Sequence, residues 1–143
     1  MAEKAQVEEN MSLFDVLSEF GRKCEEPFGQ VIYHILPAED WEKAQAVGIY
    51  SPDSIKSEGF IHCSRADQVE RSLKVHFSGQ EGLLLLCIAV SKGGAEIRDE
   101  DLYGASQTFP HIYGPLNLDA VVGVLSLTRG QDSEFSIQYS LND

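Results

Sequence analysis

The sequence has few cysteines, few basic residues and no long hydrophobic run, and each shortage excludes a class of protein. Three cysteines are an odd number, and no CxxC pair occurs among them, so we predict unpaired thiols in a reduced, cytoplasmic setting. The longest apolar run, at 83–90, has eight residues, whereas a membrane-spanning helix needs about twenty. We therefore predict a buried strand there and no membrane span. The first ten residues, MAEKAQVEEN, also lack the basic and apolar segments of a secretory signal.

The shortage of basic residues restricts the partners that the chain is expected to bind. It has 11 lysines and arginines against 23 acidic residues, a net charge of −12, and no basic cluster. Nucleic-acid binding draws most of its non-specific affinity from neutralised phosphates, so neither duplex nucleic acid nor an anionic membrane is an expected partner. One small anionic ligand is compatible with this composition, because a few side chains and backbone amides are enough to bind it.

The order of predicted elements indicates an α+β fold. A chain of 143 residues is long enough for one domain with a hydrophobic core. In residues 30–143 a β-α-β-α order precedes a region made mainly of strands, which is not the regular alternation of a doubly wound sheet. The helices are predicted at 37–48 and 65–77, and the strands at 30–36, 60–64, 83–90, 96–98, 118–127 and 134–141.

Residues 1–29 are predicted as an acidic N-terminal extension. They contain a short amphipathic helix, with apolar side chains along one side, that ends near Gly21 and Pro27. The helix either docks on the domain or binds a protein partner.

Three of the four histidines lie at predicted strands and are flanked by apolar residues. They are His34 in YHI, His62 in FIHCS and His111 in FPHIYGP. A lone histidine in such a place is typical of a hydrogen-bonded core residue, but one cleft could collect all three. Three histidines also match the ligand count of a catalytic zinc. Their spacings of 28 and 49 residues carry no metal signature, so we predict no metal site. His76, at the end of a predicted helix, is given little functional weight.

Two further segments bring polar groups towards such a cleft. Cys63 follows His62 and points to the opposite strand face, whereas Ser64 shares the face of His62. Ser64 is either the N-cap of the next helix, paired with Asp67, or a ligand-facing residue at a helix start that suits an anion. The acidic segment 96–101 is typical of a solvated face, but one carboxylate turned inward would be a general base. No Walker A, GxGxxG or GxSxG motif occurs.

The segments IYHIL, GFIHCSRADQV, LLLLCIAV and FPHIYGPLNLDAVVGV resemble the bacterial and plant family labelled domain of unknown function 952. The resemblance covers roughly residues 31–127 and implies a single compact domain similar to the ADP-ribosyltransferase catalytic domain. It also implies that His34 corresponds to the histidine that holds the NAD ribose, and Glu100 to the late glutamate that orients the acceptor. Asp99 stands where the family usually has an aromatic residue, and the segment after it is extended by DLYGASQT.

Three functional hypotheses follow. The first is a transferase-like enzyme that acts on NAD or a related nucleotide in the histidine-lined cleft. Its predicted catalytic residues are His34, Glu100 and His111. Its predicted ligand-binding residues are Tyr33, Phe60, His62, Ser64 and Tyr113. The second is a non-catalytic binding module for a small nucleotide or another anionic metabolite in the same cleft. The third is a protein-interaction domain that uses the N-terminal helix; a metal-dependent hydrolase is a more distant alternative.

Overall fold

Antiparallel β-sheets and short helices form the structure, a computed structural model that describes residues 4–6, 13–102, 104, 106–129 and 135–140. The strands are β1 (Lys4–Gln6), β2 (Val31–Pro37), β3 (Ile49–Tyr50), β4 (Ile61–His62), β5 (Leu83–Ala89), β6 (Glu96–Glu100), β7 (Phe109–Tyr113), β8 (Leu116–Asn117), β9 (Val121–Arg129) and β10 (Phe135–Ser140). The helices are α1 (Leu13–Phe28), α2 (Ala38–Val47), α3 (Ser54–Ser57) and α4 (Val69–His76). This combination confirms the α+β prediction.

The described strands form three antiparallel sheets. The largest has the order β1-β10-β9-β5-β2, a second has the order β4-β7-β6, and β3 pairs with β8. Main-chain hydrogen bonds connect the first two sheets, because the amides of Tyr33 and Ser64 donate to each other's carbonyl oxygens at 2.8 and 2.7 Å. The small sheet that carries His62 and His111 is thereby attached to the edge strand of the large one.

The interior strand β5 is buried on both faces of the large sheet. Leu83, Leu85 and Cys87 belong to a hydrophobic cluster under α1 and α4. Leu86 and Ile88 project to the other face and join a cluster with α2 and the small sheet. A strand covered on both sides reads as a continuous apolar run, which explains the run at 83–90 and confirms the predicted buried strand.

Helix α1 packs its apolar side on the large sheet and extends further than predicted. Its end was expected near Gly21 and Pro27, but it continues to Phe28 with both residues inside. Gly21 serves close packing, since a Cβ there would lie 2.9 Å from the hydroxyl oxygen of Tyr33. A protein partner at α1 stays a prediction; Phe14, 44% exposed, lies outside the packed face. Residues 1–3 and 7–12 of the predicted extension lie outside the described residues.

The two other predicted helices form, and one of them begins differently. Helix α2 ends as predicted at Gly48, whose φ is 96° and whose amide donates to the carbonyl of Ala44. Before α4, the predicted cap by Ser64 is wrong, because the helical turn starts after Arg65 and the hydroxyl of Ser64 contacts that of Ser72. The amide of Arg65 is instead bonded to the side chain of Gln68. None of the described helices is long and apolar enough to cross a membrane.

The contact between α1 and β9 depends on the absence of a side chain at Gly123. A Cβ at this buried position would approach Cζ of Phe20 to 2.5 Å. We expect Gly123→Ala to lower the free energy of unfolding by about 1–3 kcal/mol, because overpacking displaces the ring. Chemical denaturation measures the difference. The control is Gly93→Ala, where φ is −73° and the nearest atom would be 3.6 Å away. Equal effects of the two substitutions would contradict this account of the contact.

Candidate functional site

A cleft of about 690 Å³ lies between α4 and the small sheet, at the edge of the large one. All four histidines of the chain line it: His34, His62, His76 and His111. Its charged lining residues are Glu58, Asp67 and Arg71, and its uncharged polar ones include Ser64, Gln68 and Ser72. The apolar part of the lining consists of Ile35, Val75, Phe77 and Phe109. The structure thus brings the three strand histidines of the sequence analysis to one cleft.

His62 and His111 are adjacent because of the register of β4 and β7. They are directly opposite each other in this antiparallel pair, and directly opposite residues project to the same face. Their ring centroids are 5.6 Å apart and the rings are nearly perpendicular, at 81°. Phe60 fixes both rings, since its own ring stacks on His111 at 4.1 Å and meets the edge of His62 at 4.8 Å.

His111 is a buried histidine backed by a carboxylate. Its side chain is 2% exposed, and Nδ1 lies 3.2 Å from Oε1 of Glu100, which also accepts a hydrogen bond from the hydroxyl of Tyr113. These two hydrogen bonds, Tyr113 foremost, lower the pKa of Glu100. An ionised carboxylate only accepts, so Nδ1 of His111 carries the proton. Nε2 is therefore a hydrogen-bond acceptor, and within the described ranges no partner is found for it.

His62 has a carboxylate partner of its own but a different environment. Its side chain is 44% exposed, and Nε2 lies 2.6 Å from Oε2 of Glu58, four residues earlier. The two histidines therefore form two histidine–carboxylate pairs side by side. The pair of His111 and Glu100 is enclosed, and the pair of His62 and Glu58 is open to solvent.

His34 uses both ring nitrogens for contacts inside the protein. Nδ1 lies 2.6 Å from the carbonyl oxygen of His62, and Nε2 lies 2.7 Å from the hydroxyl of Tyr50. A carbonyl only accepts, so Nδ1 is the donor and Tyr50 donates to Nε2. Burial lowers the pKa of His34 to about 4. His34 is consequently neutral near pH 7 and holds the main chain of His62 in place.

The other predicted site residues lie at the cleft, behind it or away from it. Ser64 lines the cleft and its hydroxyl is 3.2 Å from that of Ser72. Glu100 and Phe60 contact His111, and Tyr113 contacts these two residues; none of the three is among the lining residues. Tyr33 is not brought to the cleft: it is 1% exposed and its hydroxyl donates to the carbonyl of Leu17. Consecutive strand residues face opposite sides, so Tyr33 points to α1 while His34 points to His62.

One face of α4 contributes lining residues that the sequence analysis did not select. They are Arg71, Ser72, Val75 and His76 of the helix, together with Gln68 directly before it. Their spacing of three and four residues places them on one side of a helix. This spacing was available in the sequence, but a polar helix face is usually assigned to solvent. Val69 and Leu73, on another side of the same helix, are buried.

Comparisons with known proteins identify the family. The family model described as Protein of unknown function (DUF952) matches residues 35–124. The crystal structure of protein CC0527 from Caulobacter crescentus is 30% identical, with a TM-score of 0.67, and the match covers 75% of this chain and 94% of that one. Its solution NMR structure is also 30% identical, with a TM-score of 0.64, covering 73% and 90%. No curated protein matches the chain. The chain belongs to this family of unknown function, which confirms that part of the predicted resemblance.

The buried, neutral His34 makes folding stability depend on pH. An unfolded chain takes up a proton at His34 near the ordinary pKa of about 6.5, whereas the folded protein resists protonation down to about pH 4. The contribution of neutral His34 to the free energy of unfolding is therefore complete above pH 6.5 and is lost as the pH falls to 4. From the two pKa values we expect a loss of about 3 kcal/mol over this interval.

The measurement compares unfolding free energies of the wild type and His34→Asn between pH 7 and pH 4. Asn retains a donor near the position of Nδ1 but cannot be protonated. The difference between the two proteins should shrink by about the same 3 kcal/mol as the pH falls. The exposed histidine variant His76→Asn is the control and should follow the wild type. Parallel curves for the wild type and His34→Asn would show that His34 titrates normally.

Proposed function

We propose that this family member is an enzyme that binds a nucleotide or a similar phosphorylated metabolite in the four-histidine cleft and acts on it by acid–base catalysis. The observation that carries the proposal is the state of His111. A buried polar atom without a hydrogen-bond partner raises the free energy of the folded state. Nε2 of His111 is such an atom at the wall of the cleft, and a bound ligand would supply the missing partner. Glu100 fixes the proton on the other nitrogen, as carboxylates do behind histidine bases.

Arg71 supports an anionic ligand. It lines the cleft, and within the part of the chain that the structure describes no ion pair is found for its guanidinium. That is notable in a chain with 23 acidic residues. A guanidinium matches the geometry of phosphate and binds it through two parallel hydrogen bonds. The cleft therefore offers a cation for a phosphate as well as carboxylates, at Glu58 and Asp67, for hydroxyl groups.

The size and apolar wall of the cleft fit a ligand with a ring. Clefts that hold small molecules have volumes of roughly 300–1,000 Å³ and mainly apolar walls with a few polar groups. The 690 Å³ cleft lies within this range. Val75 lines it and is 61% exposed, and Phe77 and Phe109 lie along the same wall. A nucleotide base would cover these side chains.

Transfer of ADP-ribose from NAD, on an ADP-ribosyltransferase-like fold, is the form of this proposal that the family resemblance suggests. The contacts favour different roles from those that the resemblance implies. His34 has both ring nitrogens engaged, so we assign it to positioning His62 rather than to holding a ribose. Glu100 would act through His111. NAD and ADP-ribose are accordingly the first ligands to test.

A non-catalytic binding module is the second candidate, because the same cleft would bind the same ligand. Turnover separates the two. An enzyme converts a nucleotide that it binds into products. A binding module shows the same rise in melting temperature, but no product forms. Substitution of His111 by Asn would abolish turnover in the first case, and in the second it would alter only affinity.

Replacement of Arg71 tests the anion site. Wild-type protein should show a melting temperature that rises with the concentration of ADP-ribose or NAD, because a ligand of the folded state stabilises it by mass action. Arg71→Gln should weaken this binding roughly 10- to 100-fold, the value of a hydrogen bond to a charged group. The control is Lys74→Gln, which removes the same charge from the same helix, where Lys74 is paired with Glu70. Equal affinities of the two variants, or no shift with any nucleotide at millimolar concentration, would refute the proposal.

A further inference from the structure

We infer that the bond acted on in the cleft is a phosphate ester bond, and that His62 and His111 divide the two proton transfers of its hydrolysis. The inference rests on the proposed function and names its substrate class. It begins from the register of β4 and β7, which places the two histidines directly opposite each other. Both line the cleft, and their ring centroids are 5.6 Å apart.

Hydrolysis of a phosphate ester needs one group that takes a proton from water and one that gives a proton to the leaving oxygen. The oxygen of the attacking water and the leaving oxygen of the ester lie on roughly opposite sides of the phosphorus atom. Imidazoles exchange protons near neutral pH, so two of them on one cleft wall supply both functions. The spacing of the rings lets each histidine reach one of the two oxygens.

The environments of the two histidines assign the roles. His111 donates Nδ1–H to Glu100, which leaves Nε2 as a proton acceptor, the base. His62 lies 2.6 Å from the carboxylate of Glu58 and is 44% exposed, so its ring can be reloaded with a proton from solvent. We therefore assign His62 the role of the acid. Arg71 is the arginine among the lining residues, beside the carboxylates of Glu58 and Asp67, and would neutralise the non-bridging oxygens.

The reaction balances with water as the only co-reactant. The water oxygen forms a bond to phosphorus while the bond from phosphorus to the leaving oxygen breaks. Nε2 of His111 takes the proton of the water, and the imidazolium of His62 gives its proton to the leaving oxygen. With a phosphodiester the products are a phosphate monoester and an alcohol, which remain on one molecule when the diester is cyclic. The two histidines return to their starting states by proton exchange with solvent.

The position of Glu100 favours a phosphate ester over a glycosidic bond. Most glycoside hydrolases use a pair of carboxylates that flank the scissile bond at the sugar. Glu100 does not line the cleft, and its Oε1 accepts hydrogen bonds from His111 and Tyr113. Glu58, which does line it, is occupied with His62. Each of these carboxylates thus contacts a histidine, and in this proposal the histidines contact the ligand.

The test uses the full chain with bis(4-nitrophenyl) phosphate and a 2′,3′-cyclic nucleotide as substrates, and NAD in parallel. We expect ester hydrolysis with a bell-shaped pH dependence of kcat/KM, because one histidine must be neutral and the other protonated. His62→Asn and His111→Asn should each lower kcat roughly 10²- to 10⁴-fold. His111→Asn should remove the acidic limb of the profile, and His62→Asn the alkaline limb. Asp99→Asn, an exposed position on β6, is the control and should keep the wild-type rate.

The outcomes separate this inference from the proposed function. If nucleotides raise the melting temperature but the wild type cleaves no ester, or cleaves NAD alone, the phosphate ester assignment is wrong and the binding proposal stands. If no nucleotide binds and no ester is cleaved, both are wrong. Should His111→Asn fail to fold, His62→Asn decides the question, because its side chain is 44% exposed. An unchanged rate and profile in His62→Asn would overturn the two-histidine assignment.

Discussion

The short connection between β2 and residues 62–64 is the contact on which the cleft depends. Two main-chain hydrogen bonds join Tyr33 to Ser64, and one residue further along β2 the ring of His34 donates to the carbonyl of His62. The strand β4 has only two residues and gains little from its own ladder. Its orientation relative to the large sheet is therefore set by these three hydrogen bonds. Because β7 pairs with β4, the same contacts also orient His111.

This connection explains why a histidine occupies the middle of an otherwise apolar strand. A buried carbonyl needs a donor, and the ring of His34 provides one while accepting a hydrogen bond from Tyr50 on its far side. An apolar residue there would leave both partners unsatisfied, which is costly in a protein interior. The price is that this histidine has to remain neutral. The cleft consequently contains two kinds of histidine, one that supports the main chain and others that are not needed for it.

The sequence allowed the main elements and the convergence of the histidines to be predicted, but not their roles. The apolar run of β5 and the glycine stop of α2 are local signals, and both were read correctly. The roles depend on partners far along the chain: Nδ1 of His34 meets residue 62, and Tyr33 reaches α1 because it is one position out of phase with His34. In helix α4 the pattern was visible in the sequence, but its surroundings were not. Its cleft face, with Arg71 and His76, has helical spacing in the sequence, yet spacing does not reveal which structure lies opposite a polar face.

The overall charge of the chain shapes how such a cleft can work. A net charge of −12 repels anions at long range, but at physiological ionic strength this repulsion is screened beyond about 8 Å. Inside the cleft the nearest charges determine the interaction with an anion. Arg71 is a cation there, and no ion pair is found for it among the described residues. The field of the protein therefore does not gather anionic ligands, and binding relies on contacts made after entry. The proposed site would therefore discriminate by fit and by hydrogen bonding at Arg71 and His111 rather than by electrostatic attraction.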